Sequence, residues 1–147
     1  MSASAELTPR AFPSHTYSVG REKIREYARA VGETDPLYFD VAAARAAGYA
    51  DLVAPPMFAV VYAAAAFEAA MRDPGLAIDL AMLLHTGQEF DWGALVIAGD
   101  EITTDIDLAQ DGTRIGMRFV VFHSSSRNQR GEDVCAGIWT VAVRERT

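Results

Sequence analysis

The 147-residue chain has very few of the residues that most directly announce a function. One cysteine, Cys135, excludes an intrachain disulfide framework and reads as a small buried residue in a strand. The three histidines, His15, His85 and His123, are scattered, with no HxH or HExxH pairing, so no metal site is expected. No glycine-rich phosphate loop is present, and no bound nucleotide or other cofactor is expected. Basic residues are outnumbered: 13 Lys and Arg stand against 20 Asp and Glu, a net charge of −7. Nucleic-acid binding needs a basic face to meet phosphates, and that class is set aside. No uncharged apolar run reaches about 18 residues, so no membrane span is expected. Met1 to Pro13 shows no basic-then-apolar signal pattern. The expectation is a short flexible lead over residues 1–12, then one domain over 13–147, in the cytoplasm.

Half the residues are hydrophobic, and their periodicity changes along the chain. Ile24, Tyr27, Ala28 and Val31 form one apolar stripe on a helix over Arg21 to Val31, stopped by Gly32. Asp40 is placed to cap a second helix, Val41 to Ala47, ending at Gly48. After Pro55-Pro56, the stretch Met57 to Met71 is apolar on most faces, which predicts one long buried helix ended by Asp73-Pro74-Gly75. The second half is rich in Val, Ile, Phe, Thr and Trp. Strands are predicted at Ala81–Trp92, Glu101–Ala109, Arg114–Ser124 and Asp133–Arg144. Asp111-Gly112 is a strong hairpin signal between the middle two. Helices followed by an antiparallel meander predict an α+β fold, with a curved sheet wrapped around the long apolar helix.

Several local motifs then coincide in order. They are Tyr17 to Val31, the loop Gly32-Glu33-Thr34-Asp35-Pro36-Leu37-Tyr38-Phe39-Asp40, Gly48-Tyr49, Val53-Ala54-Pro55-Pro56-Met57-Phe58, Leu84-His85-Thr86-Gly87-Gln88-Glu89-Phe90 and Ala98-Gly99-Asp100-Glu101. Together they resemble the hot-dog fold of the MaoC-like dehydratase N-terminal family. The chain looks closest to stand-alone actinobacterial members, which include the non-catalytic-type subunits of (3R)-hydroxyacyl-ACP dehydratases. The resemblance spans about Phe12 to Arg144.

The related (R)-specific enoyl-thioester hydratases carry a Gly-Asp-x-Asn-Pro-Leu-His pattern, whose Asp and His hold one water. The chemistry needs two titratable groups able to trade a proton near neutral pH. By the resemblance, Glu33 stands at the Asp position, Asp35 at the Asn position and Tyr38 at the His position. Glu33 keeps a carboxylate one methylene longer, or is a solvated loop acid. Tyr38 can donate a proton but is a poor base, its reference pKa being near 10; it also reads as a packed loop aromatic. Asp35 is a rescue base or a brace for the turn before Pro36.

The start of the long helix is where the family receives the thioester carbonyl, through backbone N–H groups and the helix dipole. Here Pro56 has no N–H to offer, and Met57 and Phe58 keep theirs. The resemblance thus implies an acyl site at Pro56, Met57, Phe58 and Tyr62, with Ala59, Ala63 and Ala66 leaving room for a chain. His85 is a further candidate at the substrate mouth, or a structural hydrogen-bonding residue. Arg127 and Arg130 could meet coenzyme A phosphates or an acidic carrier protein, or be a solvated turn. The implied partner is an acyl-CoA or acyl-carrier-protein thioester. The implied assembly is a homodimer, or a heterodimer with a hot-dog subunit bearing an intact Asp/His pair. A hot-dog thioesterase and an acyl-binding module without chemistry stay open.

Overall fold

A computed structural model describes residues 10–144. Six strands form one antiparallel sheet. The two short strands β1 (Arg10–Ala11) and β2 (His15–Ser18) pair along β4 (Glu101–Arg114). The order continues through β5 (Met117–Arg127) and β6 (Asp133–Arg144) to β3 (Leu83–Trp92), which has a partner on one side only. Four helices lie between β2 and β3: α1 (Arg21–Ala30), α2 (Val41–Ala46), α3 (Ala59–Tyr62) and α4 (Ala64–Met71). Arg10 and Ala11, read from sequence as part of a lead, pair with Leu108 and Asp107, and Phe12 joins the core. The rest of that expected lead lies outside the described residues.

The alternation in β4 buries Ile102, Thr104, Ile106 and Leu108 on one face, as its period of two requires. These pack with Val120 and Phe122 of β5 and Trp139 and Val141 of β6 into a single core. Phe67 of α4 stacks on Trp139 at 4.5 Å between centroids and meets Phe122 edge-on at 5.6 Å. Such pairs add about 1 kcal/mol each beyond area burial. Gly137 makes room for this arrangement. A Cβ there would lie 2.9 Å from the Trp139 Nε1, which donates to Ser124 Oγ at 2.8 Å.

Two expectations are corrected. The β4–β5 hairpin turns at Ile115–Gly116, both with positive φ (51° and 71°), and not at Asp111–Gly112. Asp111 and Gly112 sit inside β4, opposite Val120 and Phe119. Asp111 instead receives a two-pronged ion pair from Arg118, at 2.7 and 2.6 Å. A bulge between Leu108 and Gln110 shifts the register. The second correction concerns the long helix. The prolines start it as a 3-10 turn, Pro56–Phe58, and α3 and α4 meet at Ala63. The ladder still bridges that joint, from Ala63 N–H to the Ala59 carbonyl and from Phe67 N–H to the Ala63 carbonyl, both at 3.0 Å. Moreover, it is not buried all round: Ala64, Ala65 and Glu68 are exposed. No helix among the described residues is long and apolar enough to cross a membrane.

Candidate functional site

The Gly32–Asp40 loop is held by local chemistry at each step. Gly32 takes φ +77° after α1, so its N–H reaches the Arg29 carbonyl and the Glu33 N–H reaches the Ala28 carbonyl at 2.9 Å. This is a Schellman ending, which needs a residue free to adopt left-handed backbone. Asp35 accepts a hydrogen bond from the Leu37 N–H at 2.9 Å and starts the 3-10 turn Pro36–Tyr38. Asp40 accepts from the Ala42 and Ala43 N–H groups and caps α2, as its position predicts. Arg25 donates to the Phe39 carbonyl, and the Leu37 carbonyl accepts from the Val53 N–H at 3.0 Å. That last bond ties the loop to the Leu52–Phe58 segment.

Glu33 is half-buried, and its charge bears on two phenols. Burial pushes the Tyr38 hydroxyl above its ordinary range, and the charges of Glu33 and Asp35 push it further. Tyr27 is raised by burial and then by Glu33. Both phenols therefore keep their protons at neutral pH. They can donate a hydrogen bond to a carboxylate or a bound oxygen, and neither can serve as a base. Tyr27 in turn meets Phe58 edge-on at 5.5 Å, linking this acid–phenol group to the start of the central helix.

Beside that start lies a cavity of about 230 Å³. Pro55, Pro56, Phe58 and Tyr62 form one wall, and the segment from Trp92 to Val96 forms the other. Below it the Tyr62 hydroxyl lies beside the Cys135 thiol, which donates to the Ala136 carbonyl at 3.5 Å. Burial dominates both groups and raises both above their ordinary ranges, so tyrosine and thiol stay neutral. Phe58 N–H is already bound to the Pro55 carbonyl at 2.9 Å. The Met57 N–H is the remaining donor of this turn, on a residue 46% exposed.

The predicted residues thus fall into four places. Pro56, Phe58 and Tyr62 share the cavity, and Met57, between the first two in sequence, is not among its walls. Glu33, Asp35 and Tyr38 form the neighbouring loop group and are not walls of the cavity. His85 lies elsewhere, in a separate groove of about 520 Å³ between α4 and β3. There it stacks on Trp139 at 6.1 Å, and its Nε2 lies 3.0 Å from the Gly87 carbonyl. Arg127 and Arg130 are engaged within their own loop region. Arg127 pairs with Asp133, and Arg130 pairs with Glu132 and with Asp100, whose side chain is 1% exposed. Among the described residues no group of three His, Cys, Asp or Glu side chains converges as a metal site would. Sequence reasoning did not find Tyr27 as a neighbour of Glu33, nor the Trp92–Val96 wall. An aromatic ahead of a glycine turn, Trp92-Gly93, is the one signal that could have marked the wall.

The family model described as "FAS1-like, dehydratase domain region" matches residues 7–136. A UPF0336 protein of Clavibacter michiganensis subsp. michiganensis is 39% identical over 145 residues, covering 98% of this chain and 97% of its own. Among solved structures, a chain of the C-terminally truncated HadBC (3R-hydroxyacyl-ACP dehydratase) complex from Mycobacterium tuberculosis matches with a TM-score of 0.74 and 30% identity. That match covers 92% of this chain and 94% of the other. The unliganded R-hydratase PhaJ1 from Pseudomonas aeruginosa shares the fold, with a TM-score of 0.75 at 18% identity, covering 93% of this chain and 81% of its own. The chain therefore belongs to the FAS1-like dehydratase family and carries its single hot-dog domain.

Proposed function

We propose that the protein is an acyl-thioester-binding member of the (R)-hydratase and (3R)-hydroxyacyl dehydratase class, with a degenerate acid–base pair and weak or no turnover on its own. One observation carries this reading: Tyr38, at the position of the family's histidine, is a phenol whose proton is held by burial and by Glu33. Hydration needs one group to take a proton from water and the pair to return one to the α-carbon. Glu33 is the one base beside two phenols that cannot take a proton near pH 7. The acyl group would enter the cavity beside Pro56, Phe58 and Tyr62, and its carbonyl would meet the Met57 N–H. His85, in its separate groove, would at most contact a part of the ligand distant from the carbonyl. This reading needs no cofactor and sets the protein in the cytoplasm.

A second hot-dog subunit fits the same reading. The outer edge of β3 is unpaired, its residues Leu84 and Trp92 are 60% and 46% exposed, and the Ala64–Glu68 face of α4 is uncovered. An unpaired strand edge of this kind is a liability unless something pairs with it. The mate is a second copy or a chain with an intact Asp/His pair.

The test is an assay of the isolated chain with crotonyl-CoA and longer enoyl thioesters, run beside thermal unfolding with each ligand. Stabilisation by ligand with hydration at least ~10²-fold slower than for a variant with a restored pair is expected. Fast hydration by the wild-type chain, abolished by Glu33→Ala, would overturn the degenerate reading. Release of free thiol from acyl-CoA would move the assignment to a thioesterase.

A further inference from the structure

The outer face of the sheet, on the side away from the helices, is graded from one end to the other. The strand register places its residues in rows across β4, β5, β6 and β3. Arg114, Met117 and Arg144 form the row at the β4–β5 hairpin end. The next two rows are apolar or uncharged, centred on Phe119 and Ala142, then Val121 and Thr140. The following rows carry four exposed carboxylates, Asp107 and Glu89, then Asp105 and Asp91. Basic, apolar and acidic bands thus follow each other along one surface. A groove of about 570 Å³ lies over the apolar band.

Ile115 stands at the tip beside this groove. It is fully exposed and holds φ +51°, a left-handed conformation that disfavours a β-branched side chain. Asn or Gly would suit that turn position far better. An isoleucine there costs the isolated chain twice, through backbone strain and through exposed apolar surface. Insertion into an apolar surface would recover the second cost.

We propose that this face docks a second copy of the same chain, sheet against sheet, about a two-fold axis through the apolar band. An isologous contact brings each surface against its own reverse. With the axis between the Phe119 and Val121 rows, the Arg114 row of one copy meets the Asp107 and Glu89 row of the other. Each Ile115 then closes over the far end of the other copy's groove. Four strands spaced by about 4.8 Å and the four rows that face one another give a face of roughly 500 Å² per copy. A total near ~1,000 Å² is at the threshold for a specific interface, so the contact is weak and salt-sensitive. It is separate from the β3 edge and from the Pro56 cavity.

The test is sedimentation equilibrium of the full chain across a concentration series, at low and high salt. Wild type should show twofold higher mass at low salt than at high salt, whether or not β3 is already paired. Ile115→Asn should halve the low-salt mass while keeping or raising the thermal midpoint, because asparagine accepts the left-handed turn. That outcome separates loss of contact from loss of fold. Arg114→Glu should also halve the mass, and Arg114→Glu with Asp107→Arg should restore it. A wild-type mass that ignores salt and both single variants overturns the proposal, as does a charge-swapped double variant that stays dissociated.

Discussion

Two acid-bearing regions of the molecule differ in what surrounds the charge. The loop after β5 and the turn before β4 bring together Asp100, Glu132, Arg130 and Asn128. Asp100 accepts from Arg130, Gln129 and the Ile97 N–H, and Glu132 accepts from Asn128 and Arg130. Every carboxylate there is satisfied, and Glu132 is held below its ordinary range by Asn128 and then Arg130. In the Gly32–Asp40 loop, Asp35 and Asp40 are spent on backbone N–H groups, while Glu33 is ion-paired with no cation among the described residues and faces two neutral phenols. A carboxylate surrounded by its own donors is architecture. One left beside weak donors is available to a ligand.

The sharpest way to break this comparison is to restore chemistry where charge is available. Glu33→Asp combined with Tyr38→His should raise enoyl-thioester hydration by about 10²-fold, because a titratable imidazole replaces a phenol that cannot act as a base. No gain would mean that the loop does not face the acyl group. The next effect is on stability at the satisfied site. Asp100→Ala leaves the Ile97 N–H and the Gln129 amide without their acceptor, and Arg130 with Glu132 alone, and should cost about 2 kcal/mol in urea unfolding. Glu33→Ala should change stability by less than about 0.5 kcal/mol in the same experiment. Equal losses at the two positions would erase the distinction.

Alkaline pH provides a smaller probe. The hydroxyls of Tyr17, Tyr27, Tyr38 and Tyr62 are all raised, mainly by burial. A raised phenol ionises first in the unfolded chain. Its stabilisation is complete below the unfolded value of about 10 and is lost as pH rises toward the folded one. Unfolding free energy should therefore fall steadily above pH ~10, and Glu33→Gln should move the Tyr38 titration downward in an ultraviolet difference spectrum. Asp40→Ala removes the α2 cap and should cost about 1 kcal/mol by thermal or urea unfolding, half the loss expected at Asp100.

What the sequence made legible was local. The α1 stripe, the Gly32 stop, the Asp40 cap and the alternation of β4 are each written within a few residues. The wrapped sheet followed from the order of those elements. The hairpin position was misleading because Asp111-Gly112 offers the favoured turn chemistry, whereas Ile115-Gly116 places a β-branched residue where propensity opposes it. The preference lost to a cross-strand ion pair with Arg118, seven residues along. Arg130 showed the same limit at longer range. Its partner Asp100 lies 30 residues away, so a cation that looked open to phosphate is already engaged. The separation of His85 from the Pro56 cavity also depends on where β3 pairs, which no local pattern encodes.

The buried thiol beside Tyr62 gives the protein an internal reporter. Cys135 is the chain's one cysteine, is 5% exposed, and has a thiol raised by burial. The thiolate is the reactive form, so alkylation must wait for the packing around Cys135 to open. The labelling rate of the unmodified wild-type chain thus reads the free energy of that opening. A ligand seated against Tyr62 should slow the reaction in proportion to its occupancy, which gives a binding isotherm for any acyl thioester without a single substitution.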